Sequence, residues 1–339
     1  MPAVPLVPAA LRDDVGNFLD SVGSFLDNLA QIRFGALALG LLAFGIYLSL
    51  RARAFFHVLR AAYPGEQIAF RRIWGAYVAA YGFNNVIPAR GGDVIKLFLT
   101  RQSVPRSSYP AIGAAFAVEL GFDVVMGVFI LSFAFSQGVF PKPPDFASLN
   151  AFDLSFFAGN LRFTLFLLTA LALLGLVAFA LLSVRVKAFW ARVRQGLTIL
   201  RDRRRYLREV FAVQFLGWGF RFTAYWFLLE AFNVGGSVRN VLLVLGVNAV
   251  AAAVPFTPGG AGVQQAFLVQ VFAGTAAGAT IAAYSVGQQI AIASFSIGLG
   301  FVAIFAIFRF RSFREVLAAG RAERDAEREA EQRAAGAPA

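Results

Sequence analysis

Residues 82–93 read GFNNVIPARGGD. They lie inside an otherwise apolar stretch, residues 73–100, and put Pro88 and the Gly91–Gly92 pair at its centre. Proline removes a backbone donor and clashes with the preceding turn, while glycine frees the chain, so a continuous membrane-crossing helix is not expected here. A second apolar stretch, 240–274, is broken in the same way by GVNAVAAAVPFTPGGAG at 246–262. Gly82, Asn84 and Val86 align with Gly246, Asn248 and Val250 at one offset, after which each copy reaches a proline and a Gly-Gly pair. The second copy is longer by about one helical turn. Two Pro/Gly-broken segments in corresponding halves point to a transporter-like site near the bilayer midplane, because short helix ends offer unpaired amides and carbonyls to a ligand. The competing reading is that two unrelated helices both use glycine for close packing.

The rest of the chain fits a bilayer. Of its 339 residues, 58% are hydrophobic and only 15% charged, against about a quarter charged in soluble domains. Mean hydropathy is +0.67. Cysteine is absent and histidine occurs once, which removes the raw material for disulfides, thiolate metal sites and Ser/His or Cys/His chemistry; no metal or cofactor is expected. A spanning helix needs about 20 apolar residues. Residues 34–50, 109–137, 163–184, 209–232 and 277–308 meet that requirement. The expected fold is therefore an all-α polytopic membrane protein with five full spans and two re-entrant hairpins in inverted repeat. Its single membrane domain would be 34–308, with inverted halves 34–137 and 209–308 joined by the span 163–184. Residues 1–33, with Asp13, Asp14, Asp20 and Asp27 in an amphipathic pattern, are expected at the surface.

Lys and Arg in short loops mark the cytoplasmic side. Residues 51–72 carry five, 96–106 three, 185–208 nine and the tail after 308 seven, whereas 138–162 carry two and 233–239 one. Both flanks of 73–100 are then cytoplasmic, so that segment should enter and return, and 240–274 should dip in from outside. The N-terminus falls outside, and the tail 309–339 falls inside the cytoplasmic membrane. In the alternative, both broken segments cross as kinked helices. The net charge of +12, spread over these loops, suits an anionic leaflet and not nucleic acid. Residues 187–208, with Trp190, Val193, Leu197 and Leu200 on one face among arginines, read as a basic interfacial helix.

Charges at membrane depth cost about 2.5–3.5 kcal/mol at a helix centre and are functional candidates. Glu119 and Asp123 lie one turn apart on one face of a span, and Arg221, at similar depth on another, is the expected counter-ion of one carboxylate. Arg90, Asp93 and Lys96 belong to the first broken segment. Arg90 beside Gly91 and Gly92 suits a phosphate, since the guanidinium donates as a fork and bare backbone can approach closely. Against this, Arg90 could reach back to the headgroups, and the buried charges could serve only to join helices.

These motifs resemble the membrane domain of the lysylphosphatidylglycerol synthases and its stand-alone, flippase-like relatives, over about residues 34–308. Asn84, Pro88, Arg90, Gly92, Asp93 and Lys96 fit its first motif, with Lys96 where Arg is usual. Glu119 and Asp123 fit its second, Leu120 replacing an Arg; Pro255, Pro258, Gly259, Gly260 and Gly262 fit its third, with Gln265 in place of an acid. The resemblance implies movement of a lipid between leaflets. Together with the repeat and the deep charges, it leads to an expected site for a phospholipid or polyprenyl-phosphate headgroup at Asn84, Arg90, Gly91, Gly92, Asp93, Lys96, Asn248, Pro258, Gly259, Gly260 and Gln265, with Glu119, Asp123 and Arg221 as a charge set that rearranges as access alternates. The rival expectation is a scaffold that positions a lipid-modifying enzyme.

Overall fold

The structure is a computed structural model that describes residues 31–87, 91–136, 187–251, 263–272 and 277–309. Among these residues every regular element is helical. Helix α1 (Phe34–Ala62) buries Phe44, Tyr47, Leu48, Arg51, Phe55, Val58, Leu59 and Ala62 at three- and four-residue spacing, one continuous inward stripe. The expected span ended at residue 50, with a basic loop after it. The helix instead continues to Ala62, because its apolar periodicity persists, and stops at Tyr63-Pro64-Gly65, where proline disfavours further helix.

The first broken segment forms α2 (Phe70–Asn84) and α3 (Gly92–Ser103). At 15 and 12 residues they rise about 22 and 18 Å, too short to cross a hydrocarbon core of about 30 Å. Their outer ends meet: Arg106, after α3, lies 3.9 Å from Glu66, before α2. Gly92 permits the fold-back, since a Cβ there would sit 2.1 Å from the Ala80 carbonyl oxygen and 2.8 Å from the Asn84 nitrogen. Helix α4 (Tyr109–Ser136) follows. Next come α5 (Lys187–Gly196), a short 3₁₀ turn, a helical turn at Arg203–Tyr206 and a π turn at Leu207–Phe211, which leads into α6 (Ala212–Ala231). Residues 187–208 are thus several pieces and not the single helix expected. The chain pauses at Gly196, whose missing side chain lets α5 touch the Ala111 carbonyl of α4, and at Asp202, which caps Arg205.

The second broken segment supplies α7 (Val238–Ala251) and α8 (Val263–Val271), and α9 (Gly278–Ala303) ends in a π turn to Phe308. Phe34–Ala62, Tyr109–Phe133 and Gly278–Phe308 are long and apolar enough to span a membrane. Helix α6 has the length but carries Gln214 and Arg221. The expected N-terminal surface segment (residues 1–30), the span 163–184 and the tail beyond 309 lie outside the described residues.

Contacts at the helix ends fix the running directions. The Arg33 amide, before α1, donates to Ala231 at the end of α6 (2.9 Å), and Glu209, before α6, approaches His57 near the end of α1 (3.3 Å). Helices α1 and α6 are therefore antiparallel and pack along much of their length. Helix α4 starts where α1 ends, its Ser108 amide donating to the Tyr63 hydroxyl (3.2 Å). Helix α9 ends beside the start of α2, where Arg71 donates to the Ala306 carbonyl (3.1 Å). Packing is reciprocal: α2 lies on α9, and α7 lies on α4. At the α2–α9 contact a Cβ on Gly82 would fall 2.6 Å from the Ser296 carbonyl oxygen, a close approach of the kind small residues permit in membranes.

Candidate functional site

Five helices converge on a polar centre. Helix α4 brings Glu119 and Asp123 to one face, and α1 brings Arg51 opposite them. The Arg51 guanidinium donates from Nη2 to Glu119 Oε1 (2.5 Å) and to Asp123 Oδ2 (2.7 Å), from Nη1 to Asp123 Oδ1, and its Nε donates to the Tyr77 hydroxyl (2.9 Å). A planar fork matches two carboxylates one helical turn apart in a way that no point charge can. Tyr77, on α2, donates its own hydroxyl to Glu119. Trp218 Nε1, on α6, donates to Asp123 (3.4 Å).

Lys96 completes the neutralisation. Its Nζ lies 2.9 Å from Glu119 Oε2 and is enclosed by the rings of Phe116, Tyr77 and Phe55, with centroids at 3.8, 4.0 and 4.6 Å. Phe55 and Phe116 stack on each other at 4.9 Å. Such a box gives a dry ammonium about 2 kcal/mol through cation–π attraction. Arg51, Lys96 and Glu119 are all more than nine-tenths buried, so removing any one leaves a charge stranded.

Arg221 plays a different part from the one expected. It makes no salt bridge among the described residues, and the counter-ion role falls to Arg51. The cause is position: Arg221 sits on α6 with its guanidinium 4.7 Å from the Trp218 ring centroid and 5.7 Å from that of Tyr47. Tyr225, Tyr81 and Asp123 lie within electrostatic reach of it. The centre thus pairs two carboxylates with Arg51 and Lys96 and leaves a half-buried arginine against aromatic faces.

Of the remaining expected residues, Asn84 donates to Asp93 (3.1 Å) across the elbow of the α2–α3 hairpin. Gly91 and Gly92 open α3. Asn84 and Asn248, aligned in the sequences of the two broken segments, each keep a buried side-chain oxygen without a hydrogen-bond partner. Gln265 donates to Gln289 of α9, which places it between α8 and α9. Arg90, Pro258, Gly259 and Gly260 lie outside the described residues. Sequence reasoning missed Arg51, Tyr77 and Trp218. Arg51 was legible in principle, since it falls four residues after Tyr47 and four before Phe55, in register with the apolar stripe.

Apolar spans enclosing a compensated ion-pair cluster define a multi-pass helical membrane protein. The chain belongs to the family described as the lysylphosphatidylglycerol synthase TM region, whose profile matches residues 18–300. Comparisons with curated proteins and with solved structures found no match.

Proposed function

We propose that the protein is a transporter, not an enzyme, that moves a phosphate-bearing lipid between leaflets of the cytoplasmic membrane. Arg221 is its headgroup contact within the bundle. The carrying observation is the charge balance at the centre: Arg51 and Lys96 already compensate Glu119 and Asp123, whereas Arg221 makes no salt bridge among the described residues and lies against the rings of Trp218 and Tyr47, with the already paired Asp123 in electrostatic reach. A cation at membrane depth is costly without a counter-charge, and an anionic headgroup supplies one. From the sequence motifs they belong to, Arg90 and the Gly91–Gly92 and Gly259–Gly260 pairs are assigned to the same headgroup, that of a phospholipid or polyprenyl phosphate.

Supporting this reading, α1, the α2–α3 hairpin and α4 run in the opposite sense to α6, the α7–α8 pair and α9, and each hairpin packs on the last helix of the other half. That is the form of two inverted repeats around a shared site. The basic ends of α1, α2 and α3 and the segment 187–208 then face the cytoplasm, with the N-terminus outside and the C-terminus inside.

The test is leaflet exchange of a fluorescent phosphatidylglycerol in vesicles holding the purified chain. A hydrogen bond to a charged group contributes about 1.5–3 kcal/mol, so Arg221→Gln is expected to slow exchange by about 10- to 100-fold, with Arg221→Lys in between. Undiminished exchange in both Arg221→Gln and Arg90→Ala overturns the assignment.

A further inference from the structure

A cavity of about 710 Å³ lies on the outer surface of the bundle, away from the ion-pair centre, between α1, the start of α2, and α9. Ala38, Leu42, Gly45, Trp74 and Phe295 form its walls. The polar groups in those walls are satisfied, since Ser49 donates to the Gly45 carbonyl (2.9 Å) and the Trp74 indole donates to Ser49 (2.9 Å). The exception is Arg53, at the end nearest the basic loops. It is exposed, stacks on Phe56 and Phe70 at 5.4 and 5.2 Å, and has no salt bridge among the described residues.

The dimensions select the occupant. From Ala38 to Leu50 the wall rises about 18 Å at 1.5 Å per residue, close to the roughly 15 Å depth of one leaflet's hydrocarbon. Arg53 then stands one turn beyond, against Phe70, which opens α2 beside the basic pair Arg71 and Arg72. An open groove walled by apolar side chains over that length, with an exposed cation at its end that has no salt bridge among the described residues, complements a single alkyl chain carrying an anionic headgroup. We infer that this groove is a binding site for one acyl chain of an anionic glycerophospholipid, its phosphate engaged by Arg53. The site is separate from the Arg221 centre and does not depend on the transport reading.

Trp74 supplies the reporter. The full chain is reconstituted into vesicles of phosphatidylcholine containing a minority lipid with brominated acyl chains, either phosphatidylglycerol or phosphatidylcholine. The quenching due to Trp74 is the difference between the natural chain and Trp74→Phe. Brominated phosphatidylglycerol is expected to occupy the groove about fivefold more than its zwitterionic counterpart, the ~1 kcal/mol that one interfacial cation provides. Arg53→Gln should equalise the two lipids. Gly45→Leu, whose side chain enters beside Phe295, should remove quenching by both; Ala38→Phe repeats that arm at the other end of the groove should Gly45→Leu not fold. Equal quenching by both lipids in the natural chain overturns the headgroup assignment. Quenching that survives both groove-filling substitutions overturns the site itself. Leaflet exchange is not part of the readout, so a failure here leaves the Arg221 proposal standing, and the reverse holds.

Discussion

Arg51 holds the two carboxylates of α4, and its replacement should show how far the bundle depends on that single fork. Arg51→Leu leaves Glu119 and Asp123 with only Lys96 to balance them, and stranding a buried charge costs about 3–5 kcal/mol. Thermal unfolding in detergent is expected to fall accordingly for Arg51→Leu. The pairing of Arg51→Leu with Asp123→Asn should lose less than the sum of the two single changes, because the partners interact directly. Additive losses in that cycle count against the bidentate contact. At this scale the sequence was half legible. Glu119, Asp123 and Lys96 stood out because charge is rare in apolar helices; Lys96 meets Glu119, and Asp123 joins them through Arg51. Arg51 was hidden because an arginine at the edge of an apolar run looks the same whether it begins a loop or continues a helix inward; only the persistence of the stripe through Phe55 and Leu59 separates the two cases. Arg221 was visible as a deep cation, but which partner it faces depends on helix rotation, which residue type does not encode.

The elements were read more securely than their ends. The observed α4, α6 and α9 lie close to the expected spans because long apolar runs leave little choice in a bilayer. The hairpin was legible for a local reason, the Pro and Gly interruption, and its packing now explains each glycine separately. Gly92 lies against backbone atoms of α2, which cannot yield as a flexible side chain can. Gly92→Ala is expected to lower stability by about 1–3 kcal/mol, the usual penalty for overpacking, as α3 is forced away from α2. Gly113 on α4 faces open space, with nothing within 4 Å of the point a methyl group would occupy. Alanine there should be neutral or stabilising by up to about 1 kcal/mol, since it removes glycine's backbone freedom from a helix interior. Melting temperatures of the two variants side by side decide the matter: similar losses from both would mean that glycine serves helix flexibility generally and not the α2–α3 contact.

For the whole molecule, the question is which side of the membrane each end faces, and the absence of cysteine from the chain makes that directly measurable. The α2–α3 arms are too short to cross, and the Arg106–Glu66 approach brings their outer ends together. Single cysteines at Gly65, before α2, and Pro105, after α3, should therefore react with an impermeant maleimide from the same side. In the proposed orientation that side is cytoplasmic, so both should label only after cells are permeabilised. Val238 opens α7 and Gly278 opens α9, and both lie at the end of the bundle where Ala231 meets Arg33. Cysteines at these two positions should label in intact cells. A kinked full crossing of the first broken segment would instead put Gly65 and Pro105 on opposite sides. Were all four positions to share one side, the two hairpins would enter from the same face, and the proposed alternating access to Arg221 would lose its inverted pairing. Two positions labelled inside and two outside, each pair bracketing its own hairpin, is the pattern required by antiparallel α1 and α6 together with the reciprocal packing of α2 on α9 and α7 on α4.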